Sequence, residues 1–303
     1  MKGFRISERE TIKETINRIL YEELDKILEN CRNQQDDLHI SIHEIRKSIK
    51  RIRAVLRLVR EEIGYSSYYR ENVFYRDINR STSDLRTFNV LILSLEGLQG
   101  DLGDRLPPER FAPLAEQMRE QRDKMLSGML SSDRILKDLS VQFIIGRSRI
   151  PNLPIHKNNF EVLAGGMHRI YRQGKQYLDK SMKEPGVHQL HDMRKRIKYL
   201  WYQIELLKPV YPGLLKAYAS SLESISERLG TYHDLAVLSD YLVKNETGLD
   251  KDLRDTLVEA CEFKKAAMLP GIFTMSSAVY SEKPEAFIQR LDGYWKIYHR
   301  QIS

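Results

Sequence analysis

A chain of 303 residues can hold one large domain or two ordinary ones. Apolar residues make up 41% and charged residues 30%, with 16 Gly and 10 Pro, a balance that excludes disorder and a loop-rich β protein and predicts an all-α fold. The formal net charge is +7, and Cys31 and Cys261 stand far apart with no CxxC, which excludes a disulfide framework and a cysteine zinc site and predicts a reducing, cytoplasmic setting. The start, MKGFRISERE, is charged where a signal peptide is apolar, and the apolar run Val90–Leu95 is far too short to span a bilayer, so neither export nor a membrane segment is expected.

In chain order, apolar periodicity predicts helices at 8–32, 38–62, 66–82 and 84–99, then an amphipathic stretch from Glu109 to Leu139. Beyond it the pattern predicts helices at 159–182, 187–208, 212–229, 232–245, 249–267 and 284–300. Pro107-Pro108, Pro185-Gly186, Pro209, Pro212-Gly213, Pro270-Gly271 and Pro284 are expected to interrupt these helices. The segment from Phe143 to Pro154 contains FII and is compatible with a short strand, although a fully helical chain is the simpler expectation. Asp84 and Asp234 each precede an apolar run and are expected to be helix N-caps or acidic partners that orient nearby arginines.

The positive charge is concentrated. From His39 to Arg60 seven Arg or Lys face only Glu44, giving +6, and from Gly186 to Lys208 five face Asp192 and Glu205, giving +3. Those windows account for +9, so the remainder of the chain nets to −2. The segments IHEIRKSIKRIRAVLRLVR and LHDMRKRIKYLWYQIELLK are copies of one pattern. His43, Arg46, Lys47, Ile49 and Lys50 align with His191, Arg194, Lys195, Ile197 and Lys198 at an offset of 148. Asp84-Leu85 matches Asp234-Leu235 at an offset of 150, and Asn17-Arg18-Ile19 resembles His168-Arg169-Ile170 at 151. Three matches in the same order imply an internal duplication, with halves 1–150 and 151–303 meeting near Pro151 and Pro154.

Within the first copy Ile42, Ile45, Ile49, Ile52, Leu56 and Val59 form one apolar seam of a helix. His43, Arg46, Lys50, Arg53 and Arg57 keep the same rhythm one position over and fall within a sector of roughly 80° beside it. Like charges at i,i+4 repel by a few tenths of a kcal/mol per pair, so the stripe is arranged for an anion rather than for helix stability. The second copy carries its own seam, Leu190, Met193, Ile197, Leu200, Ile204 and Leu207, with His191, Arg194 and Lys198 alongside. Two such stripes about a pseudo-twofold are placed to line one groove. Like charge should depress the pKa of a histidine there, and bound phosphate should raise it again, making binding pH-dependent.

HEIRKSIKRIRAVLR and HDMRKRIKYLWYQIE resemble the two signature helices of the CHAD domain, the conserved histidine α-helical domain, and LGTYHDLAVL resembles its LG-x-x-x-D-L-x-V-L segment. The resemblance implies a single domain of two four-helix units about a pseudo-twofold, elongated, with a basic central groove that binds inorganic polyphosphate without catalysis, cofactor or metal. Carried over by position, the phosphate-contacting pattern falls on His43, Arg46, Lys47, Lys50, Arg51, Arg53 and Arg57, and on His191, Arg194, Lys195 and Lys198. Arg18, Arg169, Arg172 and Lys175 are candidates for the outer edges of the groove. Tyr199 and Trp201 stand where basic residues are common in the family, so the second half should bind more weakly or use these rings for packing. Association with polyphosphate granules is a further expectation.

Other functions fit less well. Phosphoryl transfer needs carboxylates for a metal, yet the basic windows are poor in acids, no GxxxxGK[ST] occurs, and Glu8-Arg9-Glu10 is followed by Ile12 where the ExExK motif of a tunnel triphosphatase has Lys. An accessory role beside such an enzyme stays open. His233-Asp234 lacks a Ser or Cys nucleophile in a recognisable elbow, and His188 with His191 lacks a third metal ligand. Nucleic acid shares the electrostatics, but base reading calls for an exposed helix, and this stripe adjoins the apolar seam; it is expected only as a weaker competitor. A groove that receives an acidic protein tail is also open.

Overall fold

The computed structural model describes residues 3–32, 38–81, 84–103, 108–128, 132–244 and 249–300. Among these, every regular element is helical, and eleven α-helices follow one another: α1 (Ile12–Arg32), α2 (Leu38–Leu58), α3 (Arg60–Ser81), α4 (Asp84–Leu102), α5 (Pro108–Gly128), α6 (Ser132–Arg149), α7 (Glu161–Lys183), α8 (Val187–Leu207), α9 (Pro212–Lys244), α10 (Lys251–Val279) and α11 (Pro284–Arg300). Six lie before residue 150 and five after it, so the count differs from the four per half that the resemblance implied. No helix among the described residues is long and apolar enough to cross a membrane.

Most boundaries fall where the breakers place them, with four departures. The Phe143–Pro154 segment is not a strand, because α6 continues to Arg149 and a single 3-10 turn, Ile150–Asn152, follows. The amphipathic Glu109–Leu139 stretch is divided between α5 and α6. The helices expected at 212–229 and 232–245 are one element, α9, because Gly230 is a point of close approach rather than a break. A Cβ there would lie 3.3 Å from an Arg194 guanidinium nitrogen. Finally, α10 runs through Pro270 and Gly271 to Val279; a proline removes one backbone donor and crowds one turn, which neighbouring helices can offset. Inside α3 the chain does kink, at Gly64, whose φ of 77° is costly for any residue with a Cβ.

The core explains why α2 and α8 are central. All six residues of the first seam, from Ile42 on α2 to Val59 just past its end, are buried, as are all six of α8 from Leu190 to Leu207. Each such side chain contributes on the order of 2 kcal/mol by leaving water. α2 packs on α1, α3, α7 and α8, and α8 packs on α7 and α9 as well. The larger core cluster runs from Ile6 to Tyr298, and a smaller one joins Leu91, Leu95 and Leu98 of α4 and Met118 of α5 to Leu235 and Leu242 of α9 and Leu257 of α10. Both clusters draw on residues from either side of position 150. With the seams of α2 and α8 fixed inward, the residues one position over emerge at the margin of the core, beside one another.

Candidate functional site: the cavity between the repeated helices

Two adjoining cavities open beside α2, with volumes of about 590 and 420 Å³, and share walls made by Arg46, Lys50, Val90 and Asp234. The smaller is lined by Arg46, Lys50 and Arg53 of α2 and by His191, Arg194, Lys195 and Lys198 of α8, with Tyr199, Asn79, His233 and Val237 completing its wall. Six Arg or Lys side chains therefore face one lining acid, Asp234. The larger cavity adds His43 of α2, Asn89 of α4 and Lys264 of α10, and its far wall is apolar, made by Ile40, Ile42, Val90, Leu93 and Leu235.

The cations are held in place by specific partners. Arg46, only 9% exposed, donates from Nη1 to the Asn79 carbonyl at 2.6 Å. Arg53 donates from Nε to Asn72 Oδ1 at 3.2 Å, and Arg57 donates to the Arg53 carbonyl at 2.8 Å. Lys195 pairs with Asp192 at 2.7 Å one turn back. Such contacts cost a bound anion little, because a guanidinium has five donors and an ammonium three.

Tyr199 and Trp201 have a use beyond packing. The Arg57 guanidinium carbon lies 4.0 Å from the centroid of the Tyr199 ring, and Lys198 Nζ lies 4.1 Å from that of Trp201. Each ring therefore steadies a cation of the site, worth about 0.5–2 kcal/mol depending on solvation. Burial alone would raise the Tyr199 pKa, but Arg57, Arg53, Arg196 and Lys195 outweigh it and the phenol is displaced downward. Arg53 is shifted down as well, chiefly by burial, with Arg57 among the like charges that add to it.

His191 is strongly perturbed. Its pKa falls to about 4, first because the ring is desolvated and then because His233, Lys195 and Arg194 oppose a further positive charge. The His191 and His233 rings lie 4.5 Å apart, tilted by 41°, and Nδ1 of His191 is buried without a hydrogen-bond partner among the described residues. The sequence-level expectation named like charge as the cause of such depression; burial proves to be the larger one.

Eight of the candidate phosphate-contacting residues line the two cavities: His43, Arg46, Lys50, Arg53, His191, Arg194, Lys195 and Lys198. Arg57 stands behind the wall, against Tyr199. Others face elsewhere. Arg51 points to α1, 3.3 Å from the buried Glu23, and Lys47 pairs with Glu44 on its own helix. Arg18 binds Glu10 and the carbonyls of Gly3 and Arg5, and Arg169 lies 3.9 Å from Glu61. Lys175 donates to the carbonyls of Tyr280 and Glu282, while Arg172 is exposed on α7. Asp234 is not an N-cap, because α9 is unbroken around it; Asp84 begins α4, and its side chain lies outside the described residues. His188 is 86% exposed and 3.8 Å from Asp192. Sequence reasoning missed Asn79, Asn89 and Lys264, which come from three other helices with no motif around them.

The comparisons agree with this architecture. The family model described as "CHAD domain" matches residues 18–243, and the chain belongs to that family. Among solved structures, it is similar to the crystal structure of the CHAD domain from the plant Ricinus communis, with 16% identity over 91% of this chain and 94% of that one and a TM-score of 0.61. At that identity the likeness establishes the shared fold. No curated protein matches the chain.

Proposed function

We propose that this protein binds inorganic polyphosphate, without catalysis, in the cavity between α2 and α8. The observation that carries the reading is the convergence of two similar basic helices on one wall, where Arg46, Lys50 and Arg53 face Arg194, Lys195 and Lys198 across a cavity with a single lining acid. An internal duplication of about 150 residues accounts for that convergence, since each copy brings an apolar seam and a cation stripe in the same register. A linear polyphosphate carries about one charge per unit and no base edges to read, which suits flexible Lys and forked Arg donors. The near-complete burial of Arg46 disfavours insertion of α2 into a duplex groove, which needs an exposed helix.

Affinity is then mainly electrostatic and falls with salt, by analogy with counterion release from single-stranded nucleic acids, by roughly 0.7 log units per tenfold salt for each phosphate contact. Titration with long-chain polyphosphate across a salt series tests this. Binding that strengthens with chain length and declines with salt supports the reading, and equal affinity for orthophosphate and the polymer refutes it. Placement on polyphosphate granules follows if the cavity is accessible to granule chains, and co-sedimentation of the protein with granules measures it.

A further inference from the structure

The His191–His233 pair sits in the wall of the cation cavity but is built unlike the rest of it. Lysine and arginine as residue types titrate far above neutrality and imidazole near it, and here two imidazoles lie with centroids 4.5 Å apart, tilted by 41°. Two charged rings at that distance repel, so a proton on one opposes a proton on the other. Charged groups surround them on several sides. On α8 these are Arg194, Lys195 and Lys198, with Asp192 as the one acid; on α2 they are Arg46, Lys50 and Arg53; and on α9, Asp234. The rest of the lining is the Tyr199 phenol of α8 and the uncharged Val237 of α9, Asn79 of α3 and Val90 of α4. The buried Nδ1 of His191 lacks a hydrogen-bond partner among the described residues. An imidazolium with an empty donor position beside a cation cluster becomes favourable only when an oxyanion supplies the opposite charge.

We propose that a phosphate polyanion bound in this cavity protonates the His191–His233 pair, so that binding takes up protons and tightens as pH falls. The inference rests on the polyphosphate reading above and assigns His233, on α9, to the same site. The depressed pKa of free His191, about 4, agrees with the geometry: the ring is neutral in the empty protein over most of the usable range. Bound phosphate favours the charged form and raises that value. Linkage then makes affinity rise as pH drops through the bound-state pKa and level off below the free-state one, by up to about tenfold per pH unit for each proton taken up. A site of lysines and arginines alone has no such dependence between pH 5.5 and 8.

Calorimetric titration of the full chain with long-chain polyphosphate, at pH 5.5 and at pH 8.0 in buffers of differing ionisation enthalpy, reads the proton uptake directly. The expected result is net uptake at pH 5.5, affinity at least about fivefold higher there than at pH 8.0, and loss of most of both effects in His191→Gln/His233→Gln. Proton uptake of the same size in that double variant overturns the coupling while leaving polyphosphate binding intact; absence of polyphosphate binding by the wild-type chain at either pH overturns both. A second readout does not depend on the variant folding. The His191 imidazole resonance, followed by NMR against pH, should titrate at least one unit higher with polyphosphate than without, and an unmoved midpoint refutes the proposal.

Discussion

Lys50 and Lys47 make a sharp comparison, because they carry the same charge three residues apart on one helix. Lys50 lines both cavities, whereas Lys47 is 43% exposed and 3.2 Å from Glu44. If the cavity holds the polymer, Lys50→Ala removes a charge-assisted contact worth about 1.5–3 kcal/mol, a loss of roughly 10- to 150-fold in affinity. It should also flatten the plot of log affinity against log salt by about 0.7 for the lost contact. Lys47→Ala removes a surface charge already neighboured by a carboxylate and should change affinity by less than about threefold. Isothermal titration at several salt concentrations measures both, with thermal unfolding as a check that each variant is intact. Equal losses for the two would refute the reasoning, since a diffuse field from the whole basic helix would then be responsible rather than the cavity.

Gly230→Ala should leave the fold as stable or add up to about 1 kcal/mol, because Ala is favoured over Gly in a helix, yet its Cβ would sit 3.3 Å from the Arg194 guanidinium and should cost polyphosphate affinity about three- to tenfold; unchanged binding would show that Arg194 adapts without loss. Gly166→Ala is different in kind, since a Cβ there would meet the Leu58 carbonyl oxygen at 2.1 Å where α7 crosses α2, and denaturant unfolding should report about 2 kcal/mol or more of destabilisation. Tyr199→Leu should weaken binding by about 0.5–2 kcal/mol through loss of the ring beneath Arg57, and Tyr199→Phe should recover most of that in the same titration. Without ligand, His191 is neutral in the folded protein where an unfolded chain would protonate it, so the stability it preserves is complete above about pH 6.5 and is lost as pH falls toward about 4. Screening of the half-buried ring limits this to about 1–2 kcal/mol, and thermal melts of wild type and His191→Gln at pH 5 and pH 7 should converge or cross accordingly.

Much of this was legible in the sequence, for a reason that shows in which residues failed. The stripe read from 3,4 spacing, His43, Arg46, Lys50 and Arg53, reaches the cavities because burial of the Ile42–Val59 seam fixes the rotation of α2, and the stripe is one position over. Lys47 and Arg51 were carried over from the resemblance rather than from spacing; one position further round the helix, they face solvent and α1 instead. Arg18 and Arg169 fall at matching places in the sequence pattern, but each is held by carboxylates near at hand, and no periodicity reveals which acid a neighbouring helix will offer. The unbroken α9 was hidden for a related reason. Gly230 reads as a helix break in one dimension, and only packing shows that its missing Cβ makes room for Arg194. His233 was visible beside Asp234, but its stacking on His191 depends on how α8 crosses α9.

The central claim is that the converging stripes of α2 and α8 form a polyphosphate site. It is tested most directly by calorimetric titration with long-chain polyphosphate, run beside a DNA duplex at matched ionic strength, for the wild-type chain and for His43→Gln/Arg46→Gln/Lys50→Gln. The account predicts tight binding of the polymer, much weaker binding of the duplex, and loss of polymer binding in a triple variant that still unfolds cooperatively. Comparable binding of both polymers, or polymer binding indifferent to the three substitutions, would contradict it.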